Sequence, residues 1–146
     1  MFPAKAFLGE TLDIFDSQLK ENPLIIYDVG AAVELYSIAP GWEDPRFRFI
    51  GFEPLPTSYE NLLPLYNNNP LVEIHNFALG VEETEADFFV QPDAPGASSL
   101  VSRNIEGISR QIIKVKIKTI DNLVAAGEIP APDFMKVDTE GSELNV

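Results

Sequence analysis

The chain has 146 residues, 23 of them acidic against 10 basic, which gives a formal net charge of −13. That length predicts one domain with its own core, and the acidity argues against nucleic acid or an anionic membrane as partner. The lack of cysteine excludes disulfides, thiolate catalysis, Cys-type zinc sites and iron–sulfur clusters, while 45% apolar residues with ten Phe exclude a disordered acidic chain. With no long apolar run and no leader-like start, the expectation is a cytoplasmic protein without a membrane partner.

Residues 1–23 read as an N-terminal amphipathic helix, with Leu8, Leu12, Phe15 and Leu19 on one stripe ending before Pro23. The continuous apolar run Leu24–Val29 suits a strand buried on both faces of a parallel sheet. A short helix is expected over Ala31–Ala39, stopped by Pro40 and Gly41, and then a second strand over Arg46–Glu53. Pro56–Asn67 follows as a helix with Tyr59, Leu62, Leu63 and Tyr66 on one face, bent at Pro64, and Leu71–His75 as a third strand. The order strand-helix-strand-helix-strand predicts a parallel sheet with right-handed crossovers.

Beyond it, Ala86–Val90 and Gln111–Lys118 are strand-like, separated by a Pro/Gly/Ser-rich stretch. Lys114, Lys116 and Lys118 alternate with Ile113, Val115 and Ile117, the period of a strand with one wet face. We expect these two to extend the sheet as an antiparallel pair. Thr119–Gly127 reads as a capped short helix and Asp133–Asp138 as another buried strand, with a helix beginning near Glu143. No Lys or Arg occurs from Phe49 to Ser102, and Arg103, Arg110 and the three lysines then arrive together. Faces of opposite sign folding against each other explain that asymmetry better than a partner surface does.

In an open α/β sheet ligands bind beyond the carboxyl ends of the strands, at the point where strand order reverses. This places the strand at 24–29 between those at 48–53 and 133–138. Three of those ends carry acids, Asp28, Glu53 and Asp138, with Glu53 25 residues after Asp28. That is near the spacing at which an acid bonds a ribose hydroxyl; each acid alone reads more readily as a helix cap, whereas three at one rim favour a ligand. His75, the single histidine, reads as structural rather than as a base. Asp138, Glu140 and Glu143 lack the spacing of a calcium loop, so no metal is expected. Ser98, Ser99 and the Pro92–Gly96 stretch read as a mobile loop, either a substrate lid or a long hairpin connection.

Six motifs occur in one order: Tyr27–Ala31, Ile50–Pro54, Asn76–Gly80, Ser98–Leu100, Thr119–Leu123 and Phe134–Leu144. The series, over roughly residues 24–146, resembles FkbM-type methyltransferases. The resemblance implies an α/β fold of the class I Rossmann-like type, a three-layer sandwich on a mostly parallel sheet with an inserted antiparallel pair. It implies S-adenosylmethionine as cofactor and methylation of a hydroxyl on a sugar or secondary metabolite, so a small-molecule or glycan acceptor. By position, Asp28 and Gly30 belong to the first motif, with the glycine admitting backbone close to the methionine part of the cofactor. Glu53 takes the ribose hydroxyls, Asn76, Phe77 and Ala78 line the adenine edge, and Asp138 closes the methyl-transfer end, where it helps take the hydroxyl proton. Glu140 and Glu143 lie in the same motif without an assigned role.

Two departures stand out. The family's first motif continues Gly-Ala-Asn-x-Gly, and this chain has Ala32 and Glu34 at the Asn and second Gly positions. The chain also stops where the fold ordinarily adds further strands. The expectation is a shortened domain whose strand 133–138 has an exposed edge, and hence self-association. The alternatives are a non-catalytic nucleoside-binding relic and a nicotinamide-dependent oxidoreductase. The latter is disfavoured by the absence of Gly-x-Gly-x-x-Gly.

Overall fold

The structure, a computed structural model, describes residues 23–32, 45–66, 68–91, 98–101 and 111–146. The helix expected over 1–23 lies outside the described residues except for Pro23, as does the stretch 92–97; of the helix expected over 31–39 only Ala31 and Ala32 are described, and they are not helical.

Four strands form the main sheet: β1 (Leu24–Val29), β2 (Phe47–Phe52), β3 (Val72–His75) and β7 (Phe134–Val137), in the order β3-β2-β1-β7 and all parallel. The strand at 24–29 is therefore central, flanked by β2 and β7 as the sequence leads one to expect. Register sorts the side chains onto two faces. Leu24, Ile26, Phe47, Phe49 and Phe134 point one way and pack with Leu62 and Tyr66 of α1 (Pro56–Tyr66). Ile25, Tyr27, Val29, Ile50, Phe52, Met135 and Val137 point the other way, against Ile120, Leu123 and Val124 of α2 (Ile120–Ala125) and against Ile129 in the segment after it. Both faces are covered, which is why the strand sequences are continuously apolar rather than alternating.

Local chemistry fixes the helix ends. Pro56 opens α1, where a missing N–H costs nothing, and Leu55 O accepts the Tyr59 amide at 3.0 Å. Thr119 Oγ1 caps α2 by accepting from Asn122 N, and Gly127 closes it at φ +71°. The Tyr27 hydroxyl, donating to the Pro130 carbonyl, ties β1 to the segment after α2. Burial and the nearby Glu73 carboxylate push its pKa up to about 12.

The second layer differs from expectation. β5 (Thr84–Val90) and β6 (Gln111–Lys118) pair antiparallel, but with a third strand beside β6 they form a separate sheet instead of extending the first. The extra member, β4 (Ala78–Leu79), is only two residues and too short to leave a periodic signal; it runs parallel to β6. The physical cause of the break lies at Asn76. Its side-chain amide donates to the carbonyls of Glu53 (2.8 Å) and Pro54 (3.2 Å), and this turns the chain off the main sheet after β3. The charge asymmetry resolves across this layer: Glu85 faces Lys116, and Lys114 Nζ lies 2.7 Å from Asp87 Oδ1. Both members of that last pair are exposed, so it adds at most about 1 kcal/mol. Among the described residues no helix is long and apolar enough to cross a membrane.

Candidate functional site

The register that pairs Asp28 with Gly51 and with Lys136 brings the ends of β1, β2 and β7 to one rim. Gly30 and Ala31 donate their amides to Phe52 O at 3.0 and 3.2 Å, and Asp138 N donates to Val29 O at 3.0 Å. The segments that leave β1 and β7 are thereby pressed together. Gly30 has φ +81°, and a Cβ there would lie 2.0 Å from the Asp138 carbonyl oxygen, so only glycine fits.

Glu53 ends β2 and is only 5% exposed. Its Oε2 accepts the Ala32 amide at 2.6 Å and its Oε1 the Leu55 amide at 2.8 Å. Burial raises its pKa from 4.5 to about 7, against the pull of those two amides and of the Lys136 charge. Asp28 is fully buried, with Oδ1 3.1 Å from Lys136 Nζ. The same ammonium donates to the Gly30 carbonyl at 3.2 Å and lies 3.8 Å from Asp138 Oδ2.

Above this rim lies a cleft of about 520 Å³, part of it open to solvent. Its floor is Gly30, Ala32, Glu53, Asp138 and Thr139; Phe88, Ser98 and Leu100 of the second layer form the facing wall. Of the residues expected from sequence, Gly30, Glu53, Ala78 and Asp138 line the cleft. Asp28 lies beneath the floor, held by Lys136. Asn76 straps the backbone after Glu53, and Phe77 packs on Phe52 and His75 with Lys118 Nζ 5.2 Å from its ring centre. Ser98 and Ser99 are not a free lid: both are buried, Ser98 Oγ accepts the Gln91 amide, and Ser99 forms a backbone bridge with Phe89.

His75 stacks on Phe52, with Nε2 2.9 Å from Glu73 Oε1, and Glu73 Oε2 accepts from Arg48. Burial lowers the His75 pKa and Glu73 opposes this, on the sheet face that α2 covers. The group does not line the cleft. Glu143 accepts the Gly141 and Thr139 amides, which hold its carboxyl below the usual range, so it caps its own turn. Among the described residues no three potential metal ligands cluster.

Sequence reading missed two contributors. Lys136 is a lone cation in an otherwise apolar strand, two residues before Asp138 on the same face, and that is the signal for it. Ala32 contributes through its backbone, and its φ of +52° is the conformation that Asn or Gly adopts without strain. Ala32→Asn is therefore expected to stabilise the fold by about 0.5–1 kcal/mol while keeping the amide bond to Glu53. An upward shift of the denaturation midpoint in urea checks this. Glu34 lies outside the described residues.

The site suits a nucleoside. Each Glu53 oxygen accepts one backbone amide and retains acceptor capacity for a vicinal diol. The missing Cβ at Gly30 lets the Asp138 carbonyl close against the end of β1, and Phe52, Leu79, Phe88 and Leu100 give the cleft an apolar surface for a flat ring.

A family model described as the methyltransferase FkbM domain matches residues 28–146. The hexuronic acid methyltransferase AglP of Haloferax volcanii is 29% identical over 128 residues, covering 86% of this chain and 49% of that protein. The chain thus spans about half the length of the curated relative it matches. No solved structure matches it significantly.

Proposed function

Since the chain belongs to the family of FkbM methyltransferase domains, we propose that it binds S-adenosylmethionine in the rim cleft and methylates a hydroxyl of a sugar. The observation that carries the reading is Glu53, a buried carboxylate held by two backbone amides with acceptor capacity turned to the cleft. When bound, S-adenosylmethionine supplies an electrophilic methyl group. The chain's own residues do the rest. Glu53 accepts the two ribose hydroxyls, and Gly30 lets the backbone approach the amino-acid end. Asp138, 63% exposed at the mouth, orients the acceptor hydroxyl and takes its proton. Phe88 and Leu100 exclude water from the apolar side.

The acceptor class is inferred from AglP, whose name specifies a hexuronic acid. The test offers uronic-acid and neutral saccharides to the chain with methyl-labelled S-adenosylmethionine. Label on the saccharide that survives mild alkali marks an ether on a hydroxyl. Alkali-labile label marks a carboxyl ester and overturns the hydroxyl assignment.

Glu53 also sets a pH dependence with two opposite signs. Its pKa is raised in the fold, so the stability it contributes is fully present below about 4.5 and lost as pH rises through about 7. Cofactor affinity runs the other way, because the ionised carboxylate offers both oxygens to the ribose. Affinity is expected to rise roughly two- to tenfold between pH 6 and 8. Glu53→Gln flattens that profile, and calorimetric titration across pH measures it.

β7 has β1 on one side and no partner strand on its other edge among the described residues. We propose that this edge drives self-association of the 146-residue chain. Light scattering over a concentration series is expected to show mass rising above the monomer; a constant monomer mass would refute it.

A further inference from the structure

Neither the match to the family nor the cleft itself gives a role to Lys136. We propose that Lys136 is a positioning residue that sets the shape of the β1 rim segment, and through it the cradle for the amino-acid end of the cofactor. The proposal rests on the cofactor reading above.

The sheet register pairs Asp28 with Lys136, and Gly30, Glu53 and Asp138 follow directly on the ends of β1, β2 and β7. Three of these five are carboxylates, and Lys136 is the cation among them. An ammonium has three donors and no acceptor. Here the Gly30 carbonyl accepts a hydrogen bond from it at 3.2 Å, while Asp28 Oδ1 at 3.1 Å and Asp138 Oδ2 at 3.8 Å are its ion-pair partners. Gly30 and Ala32 both have positive φ, so no strand ladder fixes the carbonyls of this segment. Its amides are held from the β2 side, by Phe52 O and Glu53 Oε2. Lys136 anchors it from the β7 side. The ammonium is buried enough, at 18% side-chain exposure, for these bonds to have little competition from water. Fixing the Gly30 carbonyl fixes the peptide plane it shares with the Ala31 amide and so restrains the segment from Gly30 to Ala32, and the charge on Nζ draws the exposed Asp138 carboxylate toward the methyl-transfer end.

The rival role is mere neutralisation of buried Asp28. Two variants separate the roles: Lys136→Met, and Asp28→Leu combined with Lys136→Met, in which the buried pair is replaced by apolar groups of similar size. Hydrogen exchange of the Gly30, Ala31 and Ala32 amides is read without ligand, with the Ile26 and Tyr27 amides as internal reference, and S-adenosylmethionine affinity is read by titration. Lys136→Met is expected to speed exchange at residues 30–32 at least tenfold and to weaken affinity by a similar factor. The double variant is expected to regain thermal stability while exchange stays fast and affinity stays weak. Recovery of exchange protection together with stability in the double variant would overturn the positioning role. If wild type fails to bind S-adenosylmethionine, the cofactor reading falls, and the exchange rates still decide whether Lys136 positions the segment. If Lys136→Met does not fold, the double variant alone gives the comparison with wild type.

Discussion

Glu53→Ala is expected to weaken S-adenosylmethionine binding by about 1–3 kcal/mol, or roughly five- to 150-fold, because two ribose hydroxyls enter the cleft unpaired. The effect on stability at pH 8 is expected to be smaller, since two contributions oppose each other. Removing the carboxylate strands the Ala32 and Leu55 amides, each worth about 1–3 kcal/mol when buried without an acceptor. It also removes a buried charge whose pKa rise from 4.5 to about 7 corresponds to roughly 3 kcal/mol of destabilisation at that pH. At pH 5 the carboxyl is neutral in the fold and only the first contribution remains, so the same variant is expected to lose more stability there. Titration and thermal melts at the two pH values check both halves. Unchanged affinity would reduce Glu53 to an anchor for the Ala32 and Leu55 amides.

Gly30→Ala is expected to be the most damaging single substitution on the rim. A Cβ there would sit 2.0 Å from Asp138 O and 3.0 Å from Asp138 C, both backbone atoms that β7 holds against β1. Relief requires separating those strands' ends or abandoning φ +81°, and either opens the cleft floor. The expected loss is about 3 kcal/mol or more, with cofactor binding abolished. Gly127→Ala is the control. Its φ is +71° but nothing lies within 4 Å of the added Cβ, so it is expected to lose only the left-handed strain, about 1–2 kcal/mol. Urea denaturation of the two variants side by side makes the comparison; equal losses would mean that the close approach at Gly30 relaxes at no cost.

The main sheet was legible because its strands are apolar on both faces and end on acids, two signals that survive in a single sequence. Leu24–Val29 and Phe47–Phe52 are bounded to within a residue or so, and their parallel order follows from the helices between strands. Glu53 and Gly30, which line the cleft, were legible as candidates because an acid and a glycine stand at the ends of two strands that share a rim. The second sheet was not legible. β4 is two residues long, and the side-chain strap from Asn76 that turns it out of the main sheet is a tertiary contact without a periodic signature. Ala32 was hidden because its contribution is a backbone amide and a dihedral angle, neither of which its side chain declares. Lys136 was hidden because the apolar neighbours Phe134, Met135 and Val137 dominate the reading of their strand.

The central claim is that the rim cleft at Gly30, Glu53 and Asp138 is a site for S-adenosylmethionine. Isothermal titration of the chain with S-adenosylmethionine, its demethylated product and NAD tests it most directly. The account predicts saturable binding of the first two, weakened roughly five- to 150-fold in Glu53→Ala, and no heat from NAD. Saturable NAD binding with no response to S-adenosylmethionine would contradict it.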